Sequence, residues 1–247
     1  CDFVPGNKVI YEEDFSNVEE GTPPNGWKFS GTAEVATLSK IAGKWMMLNH
    51  SVWATRELNA PFPENCTIEF DLFTSNANYG WENGGPSPTL SFFVGNDANN
   101  EIHADITYYR SRVYYWVNGV NNTENRVDFN LSAYKTRPIP VRIAINNQRL
   151  RIWLDETKIV DLQEVVSRKA LQSGILKFYS DRAERESYPF ISNIRIADAG
   201  LTERDLSVGA AEPAKTSTKP TQTKPQSTTT PAKTTAMSLK DFGTYHA

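Results

Sequence analysis

Two carboxylates on one predicted strand are the residues of this chain best spaced for acid–base chemistry. Glu69 and Asp71 lie two positions apart in CTIEFDLF, so both project from the same face of a strand. Retaining glycoside hydrolysis uses two carboxyl groups about 5–5.5 Å apart, one as acid and one as nucleophile. In the pattern E-x-D-x-x-E the second glutamate would stand at position 74, which is Thr74. We therefore expect no catalytic residues, and interpret both carboxylates as part of a polar strand face.

Aromatic side chains on polar strand faces point to ligand binding instead. In RVYYWV, the apolar alternation turns Tyr114 and Trp116 toward the polar face. Rings stack on the C–H faces of sugars while nearby acids bind hydroxyls, and the same rings suit a protein partner. We place the outward-facing residues of these strands together on one polar face, over which the loop 76–88, with Tyr79 and Trp81, could close. The predicted ligand-binding set is Glu69, Asp71, Trp81, His103, Asp105, Tyr109, Tyr114 and Trp116. Thr107 and Arg112 face outward beside them, and Arg142, Arg151 and Trp153 are further candidates for the same face.

The spacing of histidines and of known cofactor-binding motifs in the sequence does not indicate a metal or cofactor site. His50, His103 and His246 lie far apart without the spacing of a zinc site, and no nucleophile elbow or phosphate-binding loop occurs. We expect no cofactor. Four acidic residues have two open interpretations: Glu12, Glu13, Asp14 and Asp198. They form either a solvated edge or a structural Ca²⁺ site where the first and last strands meet.

Charge excludes one class of partner. The chain of 247 residues carries a net charge of −3, and its last 39 residues, from Gly209, contribute +3, so the preceding part carries −6. Nucleic-acid binding requires a basic surface for phosphates, so we expect no nucleic-acid partner. The sequence also contains no apolar run near 18 residues that would span a bilayer.

The elements that must position these residues are short strands. VRIAIN and RLRIWL, joined by the polar Asn147-Gln148, and a third run around Ile159 predict a β-meander with one apolar face. A segment within 162–171 could hold one short helix. Further strands are predicted at 9–15, 33–38, 44–48, 52–58, 66–73, 89–95, 102–109, 112–117, 126–129, 175–179 and 190–197. This pattern predicts an all-β fold, a two-sheet antiparallel sandwich of the jelly-roll type.

The composition changes sharply near residue 208. Residues 209–236 consist almost entirely of Ala, Pro, Lys, Thr, Gln and Ser, which cannot bury enough apolar surface to offset the entropy of ordering. We therefore predict a jelly-roll domain over 1–208, a Thr/Pro/Lys-rich disordered linker over 209–236 and a tail over 237–247. Leu239, Phe242 and Tyr245 give the tail two interpretations, a docking peptide or a frayed end.

Several phrases resemble a known group of proteins. CDFVPGNKVIYEEDFS, GTAEVATL, PENCTIEFDLF, VRIAINNQRLRIWLDETKIVDL and ISNIRIADAG are similar to the concanavalin A-like, laminin-G-like jelly-roll domain of Bacteroidetes envelope proteins. The resemblance covers about residues 2–200 and implies a jelly roll whose first and last strands pair, in an outer-membrane or periplasmic setting. An OmpA-type peptidoglycan-binding domain often follows in that group, whereas this sequence continues into the linker, so direct peptidoglycan anchoring is not implied.

Cys1 has two interpretations. It is either an arbitrary start of the chain or the lipid-modified N-terminal cysteine of a mature bacterial lipoprotein, and we expect the second. Several acyl chains would anchor the protein durably, since each buried CH₂ contributes about 0.8 kcal/mol. Cys66 is expected to be a small buried hydrophobic residue. A Cys1–Cys66 disulfide is a further alternative that excludes lipidation.

Together these patterns favour a non-catalytic cell-envelope lipoprotein module. We expect it to bind a protein partner or a glycan at the outer membrane as part of a larger assembly. The alternative function is a carbohydrate-binding or glycoside hydrolase-like domain acting on polysaccharide. The ligand-facing rings favour binding, and the incomplete carboxylate pattern at Glu69 and Asp71 argues against catalysis.

The domain boundaries give a first prediction. Trypsin should remove residues 209–247 quickly and leave 2–208 as a resistant fragment, because the linker lysines lie in a segment that cannot form a packed core. Mass spectrometry of the time course identifies the cut sites. A tail as resistant as the domain would contradict the boundary, and a purified 2–208 fragment that fails to fold would contradict its independence.

Overall fold

The computed structural model describes residues 2–74, 89–107, 112–117, 121–134, 136–181 and 187–200. Most of them form strands, as the two-residue alternation predicts. The strands are β1 (Lys8–Glu13), β2 (Trp27–Phe29), β3 (Ala33–Leu38), β4 (Ile41–Leu48), β5 (Trp53–Glu57), β6 (Asn65–Thr74), β7 (Thr89–Val94), β8 (Ile102–Thr107), β9 (Arg112–Val117), β10 (Asn121–Asp128), β11 (Ile139–Asn146), β12 (Arg149–Leu154), β13 (Thr157–Leu162), β14 (Ile175–Asp181) and β15 (Pro189–Asp198).

These strands form two antiparallel sheets. The eight-stranded sheet has the order β13-β12-β11-β6-β15-β4-β3, with β1 also paired to β15. The seven-stranded sheet has the order β10-β9-β8-β7-β14-β5-β2. The predicted two-sheet jelly-roll sandwich is therefore confirmed. The pairing of the first strand with the last, which the resemblance implied, is also present, with Lys8 opposite Asp198 and Glu13 opposite Ile194.

Turn residues account for the tight reversals of the meander. Asn147 between β11 and β12 has φ 58°, and Asp155 between β12 and β13 has φ 53°. Both residue types tolerate this left-handed conformation, which two-residue hairpin turns require. The sequence did not predict β2, because three residues of WKF are too few to show a period. It also predicted β10 too short, because the polar residues 121–125 lack alternation.

Short helices occupy two connections. A single 3-10 turn spans Leu131–Tyr134, and α1 (Arg168–Gln172) lies at the end of the predicted helical segment. Ser167 caps α1, since its hydroxyl accepts a hydrogen bond from the Lys169 backbone N–H. Among the described residues, no helix has the length and apolar character that a bilayer crossing demands.

The core lies between the two sheets and is rich in aromatic side chains. Phe70 of β6 contacts Phe92 of β7 and Phe178 of β14 edge to face, with ring centroids 5.5 and 5.0 Å apart. All three rings are buried. Cys66 is a free thiol in this core, and burial, assisted by Asp198, raises its pKa to about 12. It is thus the buried hydrophobic residue that the sequence predicted.

Several predicted features lie outside the described residues. They are Cys1, the loop 76–88 with Tyr79 and Trp81, Tyr109, the linker 209–236 and the tail 237–247. Their predictions stand as expectations.

The inter-sheet ring contacts generate a stability prediction. Phe70→Ala should lower the free energy of unfolding by about 3–5 kcal/mol, because it removes a buried ring from a site enclosed by both sheets. Phe70→Leu keeps most of the volume and should cost less than about 1.5 kcal/mol. Urea unfolding measures both, with Val9→Ala, at a side chain 47% exposed, as a control that changes stability by under about 0.5 kcal/mol. Equal losses for Phe70→Ala and Val9→Ala would contradict this packing.

Candidate functional site

The predicted ligand-facing residues divide between two opposite surfaces. Glu69 and Asp71 lie on β6 in the eight-stranded sheet, whereas His103 and Asp105 on β8 and Trp116 on β9 belong to the seven-stranded sheet. The prediction that they share one face is wrong. Strand alternation separates inward from outward residues but carries no information about which sheet a strand joins.

On the eight-stranded sheet, the two carboxylates are already engaged. Glu69 accepts a hydrogen bond from Arg195, with 2.8 Å between Oε1 and Nη1, and Asp71 accepts one of 2.7 Å from the Asn193 amide. Asn193 has φ 51° at a bulge in β15. Burial raises the pKa of the Asp71 carboxyl, against the lowering by Asn193 and by Arg142. Both acids therefore hold neighbouring strands together.

Position 74, where a second glutamate would complete the E-x-D-x-x-E pattern, points the other way. Thr74 is fully buried, and its hydroxyl donates a hydrogen bond of 3.0 Å to the Ser187 carbonyl. Because 69 and 71 face outward and 74 faces inward, no third group on β6 approaches the two carboxylates from this position.

A cleft of about 310 Å³ opens beside these acids, and we call it the acidic cleft. The last two residues of β1 and the residue after them contribute three more carboxylates to it. Its polar lining consists of Glu12, Glu13, Asp14, Glu69, Asp71, Arg142, Asn193 and Arg195. Of the four residues considered for a Ca²⁺ site, three line this cleft, but Asp198 pairs with Lys8 at the opposite end of β1. Within the described ranges, no group of three or more His, Cys, Asp or Glu residues could hold a metal ion.

The N-terminal segment, residues 2–6, covers part of the same sheet. The Asp2 carboxylate accepts hydrogen bonds of 2.9 Å from the Trp153 indole N–H and from Lys158 Nζ. The Phe3 ring contacts the Trp153 ring edge to face at 5.3 Å. Trp153 stands at an outward strand position, as predicted, but this segment covers it and it is fully buried. A ligand cannot reach it without displacing this segment.

On the seven-stranded sheet, outward positions match the alternation. Ile102, Ala104 and Ile106 of β8 are buried, while His103 and Asp105 between them are half-buried. β9 repeats the pattern, with Tyr114 and Trp116 outward. The register places Trp116 opposite His103 and Tyr114 opposite Asp105. Four of the predicted residues are thus neighbours on one outer face.

The outer face carries a continuous series of rings that crosses the strands. Phe93 and His103 stack with centroids 4.1 Å apart, and His103 and Trp116 with centroids 4.4 Å apart, their planes within 20°. Trp53 lies 5.0 Å from Phe93 and stacks on Tyr179 at 4.5 Å. We name this series the aromatic ladder; its members are Tyr179, Trp53, Phe93, His103, Trp116 and, 6.4 Å from Trp116 along β9, Tyr114.

The central rings stand on their edges. Adjacent strands lie about 4.8 Å apart, so parallel rings with centroids this close cannot lie flat side by side on the sheet. Phe93, His103 and Trp116 must therefore be upright and face to face, with their edges turned outward. Each ring face inside the stack is covered by its neighbour. The ladder is consequently a rigid ridge rather than a flat platform.

Two polar pairs flank the ladder. His103 Nε2 lies 2.6 Å from Asp105 Oδ1, which fixes the imidazole within the stack. Lys177 Nζ lies 3.1 Å from Glu101 and 5.1 Å from the centre of the Phe93 ring. Both pairs are largely shielded, with side chains between 10% and 23% exposed. The two pairs therefore hold polar groups in fixed positions beside the rings, each with a small exposed area toward a ligand that covers the face.

Sequence reasoning missed half of the ladder. Phe93 stands in the apolar run FFV, which shows no alternation from which its direction could be inferred. Tyr179 and Lys177 alternate with buried residues in ILKFYSD, so their outward direction was available as a signal. Trp53 comes from β5 and reaches over β14 to Phe93, a contact that no local pattern encodes.

Comparison with known proteins supports the fold alone. No protein-family model and no curated protein matches the chain. The ligand binding domain of botulinum neurotoxin serotype D, in complex with N-acetylneuraminic acid, is 14% identical with a TM-score of 0.55, over 82% of this chain and 50% of that one. The serotype G binding domain is 12% identical with a TM-score of 0.53, at the same coverage. This chain thus spans about half of either neighbour's length.

The N-terminal segment generates a pH prediction. Hydrogen bonds from Lys158 and Trp153 lower the pKa of Asp2 from 3.8 to about 2. A lowered folded-state pKa means that the contact stabilises fully above pH 3.8 and is lost as the pH falls through about 2. The NMR resonance of the Trp153 indole N–H should shift with a midpoint of about 2.

Two variants check this assignment. Asp2→Asn should abolish the titration of the Trp153 resonance, and Lys158→Met should move the midpoint toward 3.8 by removing the larger cause of the shift. A wild-type midpoint at 3.8 would show that Asp2 is unbound in solution.

Proposed function

We propose that this domain is a non-catalytic binding module whose contact surface is the aromatic ladder. The observation that carries the proposal is the uninterrupted series of rings on the outer face of the seven-stranded sheet. Rings of this size normally serve the core, whereas here five of the six are half-buried on an outer face, and Phe93, 5% exposed, is held between its neighbours. Such clusters of aromatic side chains mark interaction sites.

A protein partner fits the ladder best. The ladder crosses five adjacent strands, which at about 4.8 Å per strand gives a ridge of roughly 19 Å. Stacked rings are held in place before binding, so little side-chain entropy is lost when a partner covers them. Trp and Tyr with nearby charged pairs are also the residues that dominate protein interfaces. The covered ring faces leave mainly edges for contact, which suits a groove on another protein.

A glycan is the second candidate. His103 and Asp105 place hydrogen-bonding groups directly beside Trp116 and Tyr114, the arrangement that recognises sugar hydroxyls next to a ring. A structural neighbour of the domain has been solved in complex with N-acetylneuraminic acid. The covered faces of Phe93 and His103 argue for the protein partner over the glycan, because a sugar needs an open ring face.

Catalysis is not part of the proposal. Glu69 and Asp71 hold Arg195 and Asn193, and Thr74 stands where a second glutamate would be needed. Arrangement of these groups as acid and nucleophile would require breaking both hydrogen bonds. The expected outcome is that the chain does not hydrolyse polysaccharides, and that Glu69→Gln leaves ligand binding at the ladder unchanged.

The cellular address is proposed from the sequence resemblance. We place the domain at the outer membrane of a Bacteroidetes-type envelope, as a concanavalin A-like and laminin-G-like module anchored by lipid on Cys1. Intact-mass spectrometry of the protein purified from native membranes tests for the acyl chains. An unmodified Cys1 in that material would rule out the anchor but leave the ladder untouched.

Trp116→Ala tests the proposed surface. Removing a central stacked ring should weaken partner binding by about 30-fold or more, since anchors of this type contribute about 2 kcal/mol or more. Wild-type protein is used for pull-down from the native envelope in mild detergent, with quantitative mass spectrometry, and in parallel on a glycan array. If a protein captured by wild type is not captured by Trp116→Ala, the protein partner is supported. If a glycan-array signal of wild type is lost in Trp116→Ala, the glycan is supported.

Lys28→Ala is the matched control, because Lys28 lies on the same sheet but outside the ladder and is exposed. Circular dichroism and thermal unfolding establish that each variant is folded. If partners bind Trp116→Ala and wild type equally, the ladder is not the contact surface.

A further inference from the structure

The N-terminal segment is held on the outer face of the eight-stranded sheet at both of its ends. At the first end, the Asp2 carboxylate accepts hydrogen bonds of 2.9 Å from Trp153 on β12 and Lys158 on β13. At the other end, the Gly6 N–H donates a buried hydrogen bond of 2.9 Å to the Thr67 hydroxyl on β6. The segment therefore runs across the sheet as a fixed strap.

Contacts between the two ends tighten this arrangement. Phe3 packs edge to face on Trp153 at 5.3 Å, and Arg195 donates a hydrogen bond of 2.7 Å to the Gly6 carbonyl. The backbone at Gly6 lies so close to β15 that a Cβ there would stand 2.7 Å from the Asp198 carbonyl oxygen. The segment consequently has no freedom to swing away from the sheet without breaking these contacts.

Cys1 is bonded directly to Asp2, so anything attached to Cys1 starts next to a fixed point of the domain. Neighbouring Cα atoms are about 3.8 Å apart, which leaves no flexible tether between an attached group and the sheet. A lipid in this position would hold the domain against the bilayer in one orientation rather than let it rotate.

We propose that a bilayer lies against the β11–β13 side of the eight-stranded sheet, and that the aromatic ladder points away from the membrane. The inference rests on the lipid anchor of the proposed function and adds the face that the anchor turns toward the lipid. The two sheets of a sandwich lie about 10 Å apart, and the ladder stands on the far outer face. The membrane therefore leaves the ladder free for a partner.

One exposed apolar side chain stands next to the anchor point. Val4 is 66% exposed, more than any other large hydrophobic side chain among the described residues. It lies in the N-terminal segment itself, directly after Phe3. At the boundary between headgroups and acyl chains, an exposed valine buries surface that it leaves in water otherwise.

The charge of this side also fits a bilayer with anionic headgroups. Four basic and two acidic side chains occupy the outward strand positions of β11–β13 and the start of the N-terminal segment, although the domain as a whole is acidic. Basic side chains near a membrane surface are attracted to anionic lipids. The residues are Arg142, Arg149, Arg151 and Lys158, with Asp2 and Asp161.

The acidic cleft determines which part of the outer face makes the contact. It lies toward β1 and β15, and its lining carries five carboxylates against two arginines. Like charge keeps such a surface away from anionic headgroups. The domain should therefore tilt onto its β11–β13 side and lift the acidic cleft from the bilayer.

Paramagnetic broadening in lipid nanodiscs tests the orientation in the full chain. A maleimide lipid is coupled to the Cys1 thiol; Cys66 does not compete, because it is buried and its pKa is raised to about 12. The nanodiscs contain phosphatidylethanolamine, phosphatidylglycerol and a lipid with a paramagnetic headgroup. The methyl NMR signals of Val4 should broaden severalfold more than those of Thr55 and Thr107, which face outward on the other sheet.

Two altered chains separate the strap from the lipid. The double variant Asp2→Asn with Phe3→Ala frees the segment and should even out the broadening. Inserting ten Gly and Ser residues between Cys1 and Asp2 adds a tether of roughly 17 Å and should do the same. The matched control is Lys28→Ala, at an exposed position of the other sheet, which should keep the wild-type pattern.

Equal broadening of Val4, Thr55 and Thr107 in the lipid-coupled wild type would overturn the orientation, as would stronger broadening of the two threonines. A pattern that persists in both altered chains would show that the strap does not set it, and would overturn the inference too. These results are independent of the mass of native Cys1. An unmodified Cys1 in native membranes overturns the proposed anchor, whereas the coupled chain tests only the orientation.

Discussion

The structure depends on the burial of one side of each sheet against the other. Phe70 from one sheet meets Phe92 and Phe178 from the other, and aliphatic residues fill the space around these rings. A strand can turn only every second residue inward, so this burial leaves the alternate residues of both sheets on outer faces. Binding surfaces must be built from those outer residues, from strand edges and from the connections, because the inner residues are committed to the core.

The two outer faces are used differently. On the eight-stranded sheet, Asp2 and Phe3 cover Trp153, and Arg195 and Asn193 bind the two acidic residues of β6. Those polar and aromatic groups stabilise the domain itself. On the seven-stranded sheet, the rings stack on one another and not beneath a covering segment among the described residues. The second face therefore keeps organised side chains that a ligand can contact, which is the physical basis for assigning function to it.

Parts of the candidate site were predictable because strand geometry is local. RVYYWV and IHADIT alternate clearly, so Trp116, Tyr114, His103 and Asp105 lie on an outer face as predicted. Glu69 and Asp71 were outward too, but they were assigned to the wrong surface. The error has a simple cause: strand alternation is the same in either sheet, and sheet membership depends on hydrogen bonds between segments far apart in the chain, such as β6 with β15.

The sequence by itself determined the all-β class, most strand positions, the meander with its first turn at Asn147, and the direction of the β8 and β9 side chains. These follow from interactions between residues a few positions apart. Only the tertiary structure decided which acids meet which arginines, that Trp153 is covered, and that Trp53 completes a series with Phe93 and His103. Those outcomes arise from strand order across the sheets, where residues distant in sequence become neighbours about 4.8 Å apart.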